Sequence, residues 1–481
     1  MLQSHTSPHA HKASFAAAWN EDPVEASLLV ALVAGLAWAP FWLGGNRMIP
    51  WGVNAVYFPA LAIAYETSLL ARGRRHPVGL RRLAAPAALF CAVIAWIYVQ
   101  MSTAAPSTML HPIWNMAADV LGIPVAGSIS VNRGATGLAL MRLLTDASLL
   151  WLAIQLSREA SRALLLIRAV GFIVAAYSAY GLLLAAVYSS SIPFFDVDAA
   201  SGFVRSTFVN RNSFATYAGL GLITMVALTL RLYRHEVPGH EDLRAYRMHK
   251  LIEATGRRGW LYIGATLITL VALLATVSRG GILAAGLGLA TLLLLSFTRQ
   301  RRRRSEQLEA IVFVTAVVVG GFLVFGDRIA GRIALSGLID VSRSSVYAIT
   351  LNSILDAPIL GFGYGTFADV FPMYRDQSIS STGVWDKAHN TYLEVWQGLG
   401  LIFGTALMAA LGWLIYTSFV GAIRRRRDAT APIVAAAASL LVAAHALVDF
   451  SLQIEAVTLT FMALLGAGVA QSESSRHAVS D

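Results

Sequence analysis

Long apolar runs recur along the chain, and polar residues are largely confined to the gaps between them. About twelve runs are long enough to cross a hydrocarbon layer of about 30 Å at about 1.5 Å per helical residue. They cover roughly 27–45, 50–70, 83–102, 138–156, 163–189, 213–232, 259–277, 280–298, 309–326, 392–420, 431–448 and 455–471. Strand alternation is missing, and the runs are too long for barrel strands, so helices must satisfy the backbone within lipid. The pattern predicts an all-α polytopic integral membrane protein: a polar tail at 1–26, a transmembrane domain at 27–471 and a short polar tail at 472–481. The gap from 327 to 391 is too long for a simple connection. Within it, Ser342 or Ser344 can cap a helix from about 343 to 356 that stops at Asp356-Ala357-Pro358. Its apolar positions Val346, Ile349, Leu351, Ile354 and Leu355 predict an amphipathic helix lying on the leaflet. Gly361, Gly363 and Gly365 then predict a mobile turn, which would let this segment act as a lid.

Composition removes the soluble alternatives. The chain is 56% hydrophobic and 13% charged, with a mean hydropathy of +0.61. A net charge of +10 would point to nucleic acid in a soluble protein, but these arginines fall in loops between apolar runs, where the positive-inside rule accounts for them. The basic loops are those with Arg72 to Arg82, Arg158 with Arg162, Arg231 to Arg258, Arg299 to Arg304, and Arg424 to Arg427. Placing them in the cytoplasm puts both termini inside and puts the loops near 103–137, 190–212, 278–280, 327–391 and 449–454 outside. The polar first 26 residues lack the apolar core of a cleavable signal, and their His5, His9 and His11 read as part of a tail rather than a metal site. The single cysteine, Cys91, lies inside an apolar run, which predicts a small core residue.

Several arginines disobey the topology rule: Arg133, Arg205, Arg211, Arg279, Arg328, Arg332, Arg343 and Arg375 fall on the external side. For Arg133, Arg328, Arg332 and Arg375, snorkelling or pairing with nearby aspartates is sufficient explanation. Arg279 differs, because Ser278-Arg279-Gly280-Gly281 joins two apolar runs almost without a loop. An arginine in the membrane costs about 2.5–3.5 kcal/mol unless partnered, which points to a function. Lysine occurs only at 12, 250 and 387, so the external cations are almost all guanidinium forks, which bind phosphate through paired hydrogen bonds.

An ordered set of motifs resembles the bacterial O-antigen ligase and O-antigen polymerase superfamily. It comprises Phe208-Val209-Asn210-Arg211-Asn212-Ser213-Phe214-Ala215, then Ser278-Arg279-Gly280-Gly281, then Arg343 three residues before Val346-Tyr347. Pro358 with Gly361-Phe362-Gly363-Tyr364-Gly365, His389-Asn390-Thr391-Tyr392-Leu393-Glu394 and Gly398-Leu399-Gly400 complete it over roughly residues 200–450. Gly44-Gly45-Asn46-Arg47 followed by Trp51 looks like the opening of exopolysaccharide members. The resemblance implies a GT-C-like, inverting, metal-independent glycosyltransferase of the bacterial inner membrane, without a cofactor. Its donor would be a glycan on undecaprenyl diphosphate at the periplasmic leaflet. Its acceptor would be a lipid A core sugar or similar hydroxyl in a ligase, or a second lipid-linked repeat in a polymerase.

Attack on an anomeric carbon needs a group that accepts the acceptor's proton and cations that receive the departing diphosphate. His389 is the candidate base; an ordinary imidazole is largely neutral near pH 7. Arg279 and Arg343 are the candidates to hold the diphosphate, with Arg211 and Arg205 behind them. Asn210 and Asn212 either orient substrate oxygens or cap a helix near Ser213, and Asn390 carries the same two readings. Tyr392 belongs to the same substrate-facing motif, and Glu394, one turn on, is read as fixing His389 or Arg343. Asp196-Val197-Asp198 has metal-binding spacing but is read as loop, and His445 with Asp449 as a local i,i+4 helical pair. A lipid-linked oligosaccharide flippase is the competing class. It predicts internal repeats and helices broken near the midplane, and no repeat relates the two halves. No nucleotide-binding glycine loop is present, which argues against a nucleotide-sugar donor.

Overall fold

The computed structural model describes residues 19, 21–187, 191–192, 195–198, 203–236, 249–250, 252–298, 341–380, 384–425 and 428–472; of 191–198, 235, 236, 298, 341 and 342 only the backbone is described. The span expected at 309–326, Arg299 with Arg301–Arg304, Arg328, Arg332, Arg426, Arg427 and the histidines of the N-terminal tail lie outside these residues.

Helices dominate: α1 (Pro23–Trp38), α2 (Met48–Ala71), α3 (Ala84–Met101), α4 (Ile113–Leu121), α5 (Arg133–Leu156), α6 (Ala160–Val187), α7 (Arg211–Glu236), α8 (Trp260–Ala275) and α9 (Arg279–Thr298). Beyond the undescribed stretch come α10 (Val341–Asp356), α11 (Phe367–Tyr374), α12 (Thr391–Arg424), α13 (Thr430–His445) and α14 (Glu455–Gln471). A short antiparallel ribbon, Ser191–Ile192 with Phe195–Asp198, is the one departure from all-α among the described residues.

Eight helices are long and apolar enough to cross a membrane, namely α2, α3, α5, α6, α7, α8, α9 and α12, and α1, α13 and α14 are shorter apolar helices. Eleven of the expected apolar runs therefore fall on helices, and the chain is a multi-pass membrane protein. Cys91, expected in the core, is exposed on α3, because that helix buries only the stripe with Val93, Ile97 and Gln100, and two boundaries differ from the hydropathy pattern. α1 stops at Trp38 rather than near residue 45, because Leu43–Gly45 forms a tight turn in which Gly44 and Gly45 hold φ of 70° and 73°. α13 stops at His445 rather than near residue 448, and the chain then turns through Ala446–Val448.

The short α13 and α14 lie at the centre. Both are apolar all round, as a helix shielded by others must be, and Ala436, Ala438, Val457, Leu459, Phe461 and Leu464 are fully buried. Small residues let backbones approach here: a Cβ on Gly468 would meet Ala435 at 2.1 Å, and one on Gly466 would meet Ala153 at 2.6 Å. One end of the bundle carries the paired charges Arg72–Asp22, Arg162–Glu25 and Arg231–Asp428, at 2.7, 2.6 and 2.6 Å.

At the other end α12 is broken. Gly400 adopts φ 75° and ψ 168°, a conformation open in practice to glycine alone, so carbonyls 397–399 lose their helical partners. Lipid offers no donors, and the chain supplies them: Phe362 N donates to Gln397 O at 3.0 Å, Gly363 N and Gln100 Nε2 to Gly398 O at 3.0 and 2.8 Å, and Trp96 Nε1 to Leu399 O at 3.1 Å. Gly361, Gly363 and Gly365 permit this approach; a Cβ on Gly361 would lie 2.4 Å from Gly398 O. The glycine segment is thus a locked brace, not the mobile turn expected of it. From Gly400 to Arg424 the helix runs about 36 Å at about 1.5 Å per residue, enough to cross the core, so the two turns before the break stand at its edge rather than the midplane.

The predicted amphipathic helix exists as α10, with Val346, Ile349 and Ile354 buried but Leu351 and Leu355 exposed. The short α11 was not expected; Phe367 and Phe371 on it join Val346, Ile349, Ile379 and Ala388 in a small separate core. Gly400→Ala would place a Cβ 2.2 Å from Ile359 O in a forbidden backbone region. It should destabilise by about 2–5 kcal/mol from combined backbone strain and overpacking, whereas Gly412→Ala, with open space around it, should be neutral or mildly stabilising. Thermal unfolding of the two purified variants in detergent checks the contrast.

Candidate functional site

The site is built around the turn that follows α13. Asp449 in this turn is fully buried, yet its carboxylate gathers groups from two other parts of the chain and from Ser451 in the same turn. Oδ1 accepts from Asn212 Nδ2 at 3.3 Å and faces His389 Nδ1 at 3.6 Å, within ion-pair range; Oδ2 accepts from the Ser451 hydroxyl. Burial alone would push this carboxyl up, but the His389 and His445 imidazoles and the Ser451 hydroxyl outweigh it and hold Asp449 below the ordinary carboxylate range. Its main-chain oxygen accepts from Thr391 Oγ1 at 3.2 Å, and Thr391 N donates to Ala446 O at 2.9 Å.

Four helix N-termini meet this turn. α7 arrives through Asn212. α9 arrives through Ser278, whose hydroxyl donates to Asn212 Oδ1 at 2.8 Å and accepts from Gly281 N at 3.3 Å. α10 arrives through Arg343, whose Nη1 donates to Val448 O at 2.6 Å, and α12 through Thr391. Each N-terminus contributes about half a positive charge from its helix dipole, so their meeting favours an anion even though several of the amides are capped. Val277 and His389, which precede α9 and α12, both hold positive φ, 52° and 55°. Left-handed backbone costs roughly 1–3 kcal/mol at such residues and persists only where surrounding contacts enforce it.

Those contacts are specific at His389. Its carbonyl accepts from Tyr347 Oη at 2.9 Å, and the preceding amide, Ala388 N, donates to Glu394 Oε2 at 3.0 Å. The ring lies edge to face with Phe450 and Trp385, with centroids 4.8 and 5.5 Å away, and its side chain keeps 19% of its surface accessible. Asn390 caps α12, its Oδ1 accepting from Tyr392 N and Leu393 N at 3.1 and 3.2 Å. Tyr392 Oη donates to Ala443 O at 2.9 Å, tying α12 to α13, and Lys387 Nζ lies 3.8 Å from Glu394 Oε1.

The structure brings His389, Arg343, Asn212 and the start of α9 at Arg279 to one turn of chain. Arg279 directly follows Ser278, and a Cβ on Gly280 would touch His445 Nε2 at 3.2 Å. Asn210 caps α7 by accepting from Asn212 N at 2.7 Å. Arg211 stacks its guanidinium 4.0 Å above the Phe203 ring, and Arg205 Nη1 donates to Val209 O at 3.2 Å. Arg211 Nη1 and Arg205 Nη2 are buried donors without a hydrogen-bond acceptor among the described residues. Of the other arginines expected on the external side, two are described: Arg133 lies 5.1 Å above Trp114, and Arg375 Nη2 donates to Ser380 O. Side chains of Asp196 and Asp198 are outside the described residues.

Two groups escaped sequence reasoning. Asp449 and His445 do not form an i,i+4 pair within one helix, since α13 ends at His445. His445 Nδ1 instead hydrogen-bonds with Thr216 Oγ1 at 2.5 Å, while Asp449 faces His389. The second group continues from the same turn: Arg142 donates to Gln453 O, approaches Glu455 Oε1 at 3.6 Å and covers Trp51 at 4.5 Å, and Asn54 Nδ2 donates to Glu455 Oε2 at 2.6 Å. Burial pushes the Tyr364 hydroxyl up to about 12, with Asp146 and Glu394 adding to the rise and Arg142 opposing it. These charges from α5 and α12 therefore act on one region.

Residues 264–409 match the family model described as O-antigen ligase. The segment carries Arg279, Arg343, His389 and the Gly398–Gly400 break, whereas Arg211, Asn212 and Asp449 lie outside it. No curated protein matches the chain. Through this segment the chain, a multi-pass membrane protein, is similar to the O-antigen ligase family.

Proposed function

We propose that the protein is a glycosyltransferase that moves a glycan from undecaprenyl diphosphate to an acceptor hydroxyl, on a lipid A core sugar or similar, at the periplasmic face of the inner membrane. The observation that carries this reading is the meeting of His389, Arg343 and the N-termini of α7, α9, α10 and α12 on the turn that holds Asp449. A base beside an anion-binding surface is what displacement of a diphosphate from an anomeric carbon requires.

In this reading the acceptor hydroxyl gives its proton to His389 Nε2, while Nδ1 faces Asp449, which orients the ring and offsets the positive charge the imidazole gains. The freed oxygen attacks the anomeric carbon from the side opposite the diphosphate, and the anomeric C–O bond breaks with inversion. Its electron pair leaves on the diphosphate, where Arg279, Arg343 and the buried forks of Arg211 and Arg205 receive it with the helix N-termini. The His389 proton then passes to the surrounding water. A polymerase acting on a second lipid-linked repeat would use the same steps. Purified protein given lipid-linked glycan, with lipid A core or with no second acceptor, distinguishes the two. Transfer only with the core supports the ligase; chain growth without it replaces that reading with the polymerase; no transfer in either arm from folded protein overturns both. The length of α12 beyond Gly400 supports a break at the edge of the apolar core rather than at the midplane, where a flippase would bind its cargo.

His389→Ala should lower turnover by about 10²–10⁴-fold, the usual contribution of a positioned acid–base group, while the purified protein stays monodisperse. Asp449→Asn, nearly isosteric, should lower turnover by at least about 10-fold with little change in donor affinity, read as kcat against KM. Wild-type turnover in either variant would remove that residue from the mechanism.

Arg279→Lys should approach Arg279→Ala in damage, because an ammonium keeps the charge but not the two-pronged fork; Arg375→Ala should leave transfer near normal. Lipid-linked donor binding and transfer, measured on the same preparations, test the ranking. Transfer should also survive EDTA, since guanidinium groups are proposed to stabilise the leaving group. Loss restored by magnesium or manganese would return Asp196 and Asp198 to consideration as ligands.

A further inference from the structure

The loop between α3 and α5 contains α4, a nine-residue helix with an uncovered apolar flank. Met116 and Val120, one turn apart, are 65% and 86% exposed, and Leu121 and Ile123 continue the patch at 62% and 60% across the left-handed turn at Gly122. Asn115 and Asp119, also one turn apart, are exposed about 100° round the helix from that flank. The third flank is fixed to the protein: Ile113 packs against Val131, Phe362 and Val370, and Trp114 Nε1 donates to Ser130 O at 3.0 Å beneath the Arg133 guanidinium.

Water, protein and a third medium thus meet three sides of one short helix. The third medium is identified by continuity. At the end of α3, to which the loop is tied by Ser130 N donating to Gln100 O, Tyr98 and Val99 are 57% and 42% exposed on a helix long and apolar enough to span the membrane, so the loop that carries α4 starts from a lipid-facing level. Aromatic and arginine side chains such as Trp114 and Arg133 are the usual residents of the headgroup layer. We infer that α4 lies in the plane of the membrane with Met116, Val120 and Leu121 in the acyl boundary of the leaflet on the His389 side. This rests on the chain's being a multi-pass membrane protein and is independent of the transfer chemistry.

The contacts give this anchor a task. Val131 N donates to Phe362 O at 2.9 Å, Ser130 N donates to Gln100 O at 2.9 Å, and Gly363 has no room for a Cβ beside Ser130 Oγ. The loop that α4 holds therefore braces the glycine segment, which in turn braces the two turns of α12 below His389. Anchoring α4 in the leaflet sets the depth of that assembly relative to the headgroups, where a lipid-linked diphosphate resides.

The test uses full-length protein with Cys91→Ser, reconstituted in phosphatidylethanolamine–phosphatidylglycerol vesicles, with an environment-sensitive fluorophore at Val120→Cys or, separately, Asp119→Cys. The Val120 label should be quenched several-fold more by lipids spin-labelled near the headgroup than by aqueous iodide, and the Asp119 label should show the reverse order. Iodide quenching of both labels alike would overturn the inference by leaving the flank in water. Shielding of the Val120 label from both quenchers would overturn it by placing a protein surface there, such as a second copy of the chain. Met116→Cys on the same flank replaces Val120→Cys if the latter does not reconstitute.

Discussion

The buried carboxylate of Asp449 is the constraint on which the rest of the site depends. A carboxylate excluded from water is tolerated only when its oxygens find partners, and here Asn212 and Ser451 donate hydrogen bonds while the His389 imidazole faces it within ion-pair range. Satisfying one charged group thereby fixes the relative placement of α7, α12 and the turn after α13. The start of α9 follows, because Asn212 spends its amide nitrogen on Asp449 and its amide oxygen on Ser278. Deleting the charge would leave several polar groups buried without partners, so the arrangement is specified by electrostatic need as much as by apolar packing.

The helix ends explain why arginines suit this place. N-termini already favour negative charge, and added guanidinium groups raise the potential further, a combination that the proposed reading resolves by the arrival of the diphosphate. Phe203 beneath Arg211 and the main-chain acceptors at Val209 and Val448 hold the forks in position meanwhile. Preorganisation of this kind is what distinguishes an anion site from a set of snorkelling side chains.

Much of the fold was legible because lipid imposes a simple rule: a segment that crosses it must be long, apolar and helical. That rule found the eleven described apolar helices; His389 and Arg279 were readable as polar residues at their ends, and Arg343 as the start of the amphipathic helix between two of them. The same rule says nothing about tertiary partners. Asp449 lies sixty residues from His389, and its spacing from His445 read as helical only because the early end of α13 was invisible to hydropathy. Glycines 361, 363 and 365 were read as freedom, whereas Gly398 and Gly400 opposite them required close approach; the two glycine-rich segments together were the available signal. Pro372 inside the short α11 likewise masked a helix held by Phe367 and Phe371 rather than by its own propensity.

The break at Gly400 has a consequence for what counts as a unit in this molecule. Its bared carbonyls are capped by Gln100 and Trp96 of α3, and His389, just ahead of it, faces Asp449, near the other end of the chain. Heredity and mechanics therefore draw different borders: the stretch recognisable by descent is a fragment of the working part. Transplanting residues 264–409 into another helical scaffold would carry the imidazole and two of the cations but leave behind the carboxylate, the amide and the indole that give them their geometry.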